Sequence, residues 1–136
     1  MRHAVAGKKL NRHPKERDRL ICQLLQAVIE HRKITTTQAK AQAVRPEVEK
    51  LITMARKVPT QAQIDAAGDA DKAQFRRDRA EVFRRALMYL GGRKEAAHRL
   101  LEVAPAYAER PGGYVRLTKI GPRKGDAAEM VVLELV

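Results

Sequence analysis

Six apolar residues, Leu20, Ile21, Leu24, Leu25, Val28 and Ile29, follow one another at spacings of one, three, one, three and one. That is the step of an α-helix with a single buried face, so the chain must fold by laying amphipathic helices on a shared core. Pro14 suits the first turn, where an amide has no intrahelical acceptor, and Glu16 and Asp18 complement the positive end of the helix dipole. The spacing predicts a helix over about 14–32.

Ile34 to Thr36 are β-branched and too few for more than a short strand, and the Thr37 hydroxyl is placed to cap the next helix. That helix carries Val44, Val48, Leu51, Ile52 and Ala55 on one side. Pro46 interrupts it, removing an amide and biasing Arg45 away from helical geometry, which predicts a kink or a restart. From Val58 to about Ala73 the chain is alanine-rich and acidic, with Asp65, Asp69 and Asp71 around Gly68, and reads as a mobile surface loop with at most a short helical piece. Phe75, Val82, Phe83, Ala86, Leu87 and Leu90 form the next helical stripe, opposed by Arg77 and Arg84 and closed by Gly91-Gly92. Ala96, Ala97, Leu100, Leu101 and Ala104 mark a further helix that stops before Pro105. Tyr114 to Ile120 and Met130 to Val136 read as a hairpin turning through Gly121-Pro122-Arg123-Lys124-Gly125-Asp126.

The expected architecture is α+β: helices packed on a small sheet made of a short strand and a C-terminal β-hairpin, with a basic extended N-terminal arm. Residues 1–13 form the arm, and 14–136 a single α+β domain with a mobile acidic loop at about 58–73. A chain of 136 residues suits one core.

Charge narrows the partner. Lysine and arginine number 28 against 16 acids, a formal net charge of +12, which points to a polyanion and first to nucleic acid. The cations are spread over the arm, several helices and the hairpin, where Arg110 to Gly125 holds five basic residues and no acid. A membrane-surface helix would concentrate them on one face, and a DNA-binding helix-turn-helix has no place for the strand-like Ile34-Thr35-Thr36. A general nucleic-acid-binding or anionic-membrane-binding basic protein is the alternative reading. No apolar run is long enough for a membrane span, and no membrane is expected as a partner. Aromatic residues make up only 4%, so a stacking sheet surface is not expected.

An enzyme is not expected. His3, His13, His31 and His98 fall at no metal-ligand spacing, and there is no phosphate-binding loop, nucleophile elbow or HExxH motif. Asp69-x-Asp71 lacks the glycine and distal glutamate of a calcium loop. Cys22 is alone, which excludes an internal disulfide, and reads as a small buried side chain. No catalytic residue, metal, cofactor or small-molecule substrate is expected.

Met1-Arg2-His3, Gly7, Lys9-Leu10 and Arg12 open the chain. Ile34, Thr36-Thr37, Lys40-Ala41, Arg45-Pro46, Leu51-Ile52-Thr53 and Ala55-Arg56 follow, then Ala104-Pro105, Tyr107, Arg110, Gly112-Gly113-Tyr114, Arg116, Gly125-Asp126 and Glu134-Leu135-Val136. In order, spacing and terminal placement this set resembles the seventeenth protein of the bacterial large ribosomal subunit. The resemblance covers nearly the whole chain. It implies a non-catalytic cytoplasmic ribosome component, monomeric within the ribosome, bound to large-subunit rRNA beside neighbouring large-subunit proteins near the exit of the nascent-peptide tunnel. Pro14-Lys15-Glu16 replace the Ser-Ser-His of many members, Gln42 stands where lysine is common, and Val115 where threonine is usual.

With charge and resemblance taken together, the candidate rRNA-binding residues are Arg2, His3, Lys8, Lys9 and Arg12 of the arm, Lys15 and Arg19 after it, and Thr36, Lys40 and Arg45. Arg110, Tyr114, Arg116, Arg123 and Lys124 complete the set on the hairpin side. Thr36 is either a strand residue or a ligand, and Tyr114 either packs in the hairpin or stacks on a base.

Overall fold

The computed structural model describes residues 7–136; Arg2 and His3 lie outside the described residues. Helix α1 (Pro14–His31) leads into strand β1 (Lys33–Thr37) and helix α2 (Gln38–Ala55). A short helix α3 (Gln61–Ala66), a long α4 (Asp69–Tyr89) and α5 (Lys94–Val103) follow, then a 3-10 turn over Ala104–Tyr107. Strands β2 (Val115–Pro122) and β3 (Glu129–Leu135) end the chain. The α+β architecture agrees with the expectation from sequence. Among the described residues no helix is long and apolar enough to cross a membrane.

The sheet is antiparallel throughout, in the order β1-β3-β2, so the last strand is its centre. Ile34, Leu133 and Leu117 share one row and Thr36 faces Val131 in another, on the face whose members are buried or half-buried apart from the exposed Lys119 at its end. The other face carries Lys33, Glu134 and Arg116 in a row, then Thr35, Val132 and Thr118. Alternation at period two places apolar side chains against the helices, and a slip of one residue would turn every one of them outward. Leu25, Val28 and Ile29 of α1, Val44, Val48, Leu51 and Ile52 of α2, and Leu100 of α5 complete the core with Leu133.

Helix α2 runs unbroken through Pro46, against the expected restart. Pro46 and Gln42 are exposed, so the carbonyl that loses its amide partner faces water. Ala41, Val44, Val48, Leu51 and Ile52 are all buried on one stripe, and their packing offsets the roughly 3 kcal/mol that an internal proline costs. Pro46→Ala is therefore expected to stabilise the protein by about 1 to 3 kcal/mol, read as a rise in the urea midpoint at unchanged m-value. Thr37 does occupy the N-cap position of α2, but its side chain makes no capping hydrogen bond.

The stretch expected to be a loop over 58–73 holds α3 and the first turn of α4. Two local signals account for this. Thr60 and Gln63 form a reciprocal capping box at the start of α3, and Asp69 and Asp71 fall in the first turn of α4, where negative charge favours the helix. The acids belong to a helix start.

At the other end of α4, Gly91 and Gly92 adopt φ of 58° and 82°. The Gly92 amide donates to Leu87 O at 2.8 Å, the closing bond of a Schellman turn that only a residue tolerant of positive φ makes cheaply. The turn brings α4 back against α1, where Gln26 Nε2 donates to Leu90 O at 2.7 Å and the Cys22 thiol donates to Tyr89 O at 3.3 Å. Cys22 is half-buried rather than buried; desolvation, then the Asp18 carboxylate, push its pKa up and keep it a neutral donor.

Candidate nucleic-acid interface

Tertiary folding brings three of the expected residues together. Arg45 from α2, Arg110 from the loop after the 3-10 turn and Arg116 from β2 line one cleft of about 480 Å³ with Gly113 and Val136. All three arginines are exposed. Arg116 lies 3.7 Å from Glu134, which also faces Lys33 at 4.0 Å, and Arg110 donates to Val136 O at 3.3 Å. Glu134 is shared between the Arg116 guanidinium and the Lys33 ammonium, which leaves N–H donors on Arg116 for the oxygens of an anion such as phosphate.

The loop that sets Arg110 is held from several sides. Arg110 O accepts from the Tyr114 hydroxyl at 3.0 Å and from the Arg56 guanidinium. Glu49 of α2 accepts the Tyr114 and Val115 amides at 3.3 and 3.2 Å, satisfying donors at the entry to β2. Gly113, at φ 69°, is the turn residue; Gly112 has no positive φ.

Two candidates are removed from the surface. Tyr114 is fully buried, its ring set edge-on to Tyr107 with centroids 5.4 Å apart, so it has no face open to a base. Thr36 is buried on the inner face of the sheet. Thr36 follows from strand pairing, which turns alternate side chains inward, whereas Tyr114 precedes β2 and is buried by its packing on Tyr107 and its hydroxyl bond to Arg110 O.

The hairpin tip also differs from expectation. Strand β2 extends to Pro122 with a bulge at Ile120, since Lys119 pairs with Val131 and Gly121 with Met130. Gly121 and Pro122 thus belong to the strand and not to the turn, while Asp126 lies in the turn as expected, its carboxylate accepting from Arg123 Nε at 2.9 Å and Arg123 Nη2 at 2.6 Å. Arg123 is clasped and Lys124 stays free of ion pairs among the described residues. Asp126 is held down from 3.8 to about 2 by the Arg123 hydrogen bonds and then by the Ala128 amide. A depressed carboxylate contributes its clasp above the ordinary value and loses it as pH falls towards 2. NMR titration of the Asp126 carboxyl should show the clasp intact above pH 4 and about half lost near pH 2. Asp126→Asn should free Arg123 and raise rRNA affinity up to about tenfold at low salt, one added phosphate contact, by filter binding.

On the arm side, Lys8, Lys9, Arg12, Lys15 and Arg19 are exposed, and Lys40 and Arg45 project from α2, half-buried and exposed respectively. Lys8 Nζ donates to Gln42 Oε1 at 2.6 Å, so the glutamine at a position where the family pattern has lysine ties the start of the chain to α2. A lysine there would repel Lys8 instead. Arg76, Arg77 and Arg84 on α4 are not among the candidate residues expected from sequence. They are exposed and form no ion pair among the described residues, while Arg85 has only Glu81 at 3.9 Å. Their signal was present as the charged side of the α4 stripe. Among the described residues no cluster of three or more His, Cys, Asp or Glu could hold a metal ion.

Comparison with known proteins finds relatives that match the sequence from end to end. The chain is 44% identical over 137 residues to a protein of Chloroflexus aurantiacus named large ribosomal subunit protein bL17, covering both chains completely. Proteins of the same name from Petrotoga mobilis and Neorickettsia sennetsu are each 40% identical, with the whole of this chain covered and 97% and 100% of theirs. Residues 20–136 match the family described as Ribosomal protein L17, and the chain belongs to that family.

Proposed function

We propose that this chain is a structural component of the bacterial large ribosomal subunit, acting in translation by holding large-subunit rRNA through phosphate and shape contacts and catalysing no reaction. The convergence of Arg45, Arg110 and Arg116 from three distant parts of the chain is the observation that carries the reading. The core and the hydrogen-bonded loop place the backbones of these three arginines side by side, so their guanidinium groups meet neighbouring phosphates together. The end-to-end likeness to large-subunit proteins supplies the partner.

Specificity comes from shape. The grooves of A-form RNA hide base edges, whereas arginines on separate faces register the spacing of separate phosphate runs. The start of the chain, the α2 face and the hairpin tip then hold different rRNA segments against one body. The partners are large-subunit rRNA and neighbouring ribosomal proteins, with the chain as a monomer in the cytoplasmic ribosome. A position near the exit of the nascent-peptide tunnel is the site that the family resemblance implies.

Binding of the full chain to a large-subunit rRNA fragment should fall roughly 10³-fold or more between 50 and 200 mM salt. A variant lacking residues 1–13 should bind more weakly with a shallower salt slope; equal affinity at every salt removes the arm from the mechanism. The chain should also co-sediment with large subunits after a high-salt wash. Recovery only in the soluble fraction would overturn the reading.

A further inference from the structure

Between α1, α2 and the C-terminal end of α4 lies an open cleft of about 660 Å³. Its floor is apolar: Ile21 and Leu25 of α1, Pro46 of α2, and Met88 and Tyr89 of α4. Met88 is 80% exposed and Tyr89 42%, an unusual pair of large apolar side chains to leave open to water on so charged a molecule.

The rim is cationic, with Lys8, Lys9, Arg17 and Lys50. Lys50 is taken by Glu47 at 3.0 Å, and Lys8 rests on the neutral Gln42 amide. Lys9 and Arg17 form no ion pair among the described residues. Asp18 is the remaining carboxylate of the wall.

A ligand for this cleft needs a flat apolar part and an anionic part joined at short range. Duplex RNA offers only the second, because its bases are stacked away from side chains. An apolar peptide offers only the first. An unstacked nucleotide carries both, since every base has a face that stacks on an aromatic ring and a phosphate on either side. We propose that the cleft receives an unstacked nucleotide of single-stranded rRNA, the base on Tyr89 and Met88 and its flanking phosphates at Lys8, Lys9 and Arg17. This rests on the rRNA-binding reading above. Asp18 supplies an acceptor for an exocyclic base amine, which favours adenine, guanine or cytosine over uracil.

The test uses the full chain with hexaadenylate, an abasic hexamer of the same charge, and an acidic hexapeptide of glutamate and leucine. Hexaadenylate should shift the Met88 methyl resonance through ring currents, bind more tightly than the abasic hexamer, and lose roughly tenfold in affinity on Tyr89→Ala but little on Tyr89→Phe. Arg17→Ala should reduce the salt slope by about one. Tyr89 is exposed and Arg17 half-buried, and matching far-UV circular dichroism checks that the variants fold. Equal binding of the abasic hexamer, with no effect of Tyr89→Ala, overturns the base site. Tighter binding of the acidic peptide at the same resonances overturns it in favour of a protein neighbour. If the rRNA fragment still binds with a steep salt slope while hexaadenylate leaves Met88 unmoved, only the nucleotide site fails; loss of both removes the rRNA reading as well.

Discussion

Replacing Arg45, Arg110 and Arg116 together by alanine is expected to weaken binding to a large-subunit rRNA fragment by roughly 10²-fold or more near 0.1 M salt. Each phosphate contact releases close to one counterion, so three lost contacts should also reduce the slope of log affinity against log salt by about two to three. The measurement is filter binding across a salt series. Stability should change little, because the Arg116 to Glu134 pair is surface-exposed and such pairs contribute about 0–1 kcal/mol. An unchanged slope would show that the cleft faces something other than phosphate. Because the three residues share one cleft, single substitutions should not add simply.

Tyr114→Ala should act on stability instead, lowering it by about 3 to 5 kcal/mol in urea unfolding. The ring is fully buried, packs edge-on to Tyr107, and its hydroxyl donates to Arg110 O. Tyr114→Phe keeps the packing and loses only that hydrogen bond, about 1 kcal/mol. Neither change removes a cation, so the salt slope of the folded variants should match that of the unaltered protein. A loss of slope in Tyr114→Phe would mean that the hydroxyl positions Arg110 for its phosphate.

The two results separate what this fold needs to exist from what it presents. Tyr114 is part of a packed junction in which α2, the 3-10 turn and β2 share bonds through Glu49, Arg56 and Arg110 O. The arginine cleft sits on the outside of that junction, so its geometry depends on residues that never touch a ligand.

Helices α1 and α5, the short β1 and the hairpin were legible because each is encoded locally, by a period of 3.6 or of 2 and by proline or glycine at its ends. The starts of α3 and α4 were signalled too, by Thr60 and Gln63 and by Asp69 and Asp71 respectively, but an acidic alanine-rich stretch without an apolar stripe reads as loop when composition is weighed above capping. Pro46 misled for the opposite reason. Its local cost is real, yet six buried side chains on the same helix outweigh it, and their burial exists only once the sheet and α1 are in place.

Net charge and its spread over arm, helices and hairpin are properties of the chain itself, and they were enough to indicate a polyanionic partner. Which cations remain available was decided by tertiary structure. Register placed Glu134 between Lys33 and Arg116, the bulge at Ile120 shaped a tip in which Asp126 clasps Arg123, strand alternation turned Thr36 inward, and packing on Tyr107 buried Tyr114. Ion pairing depends on separations of a few ångströms between residues far apart in sequence, and one chain order fits many such pairings until the core selects a single register.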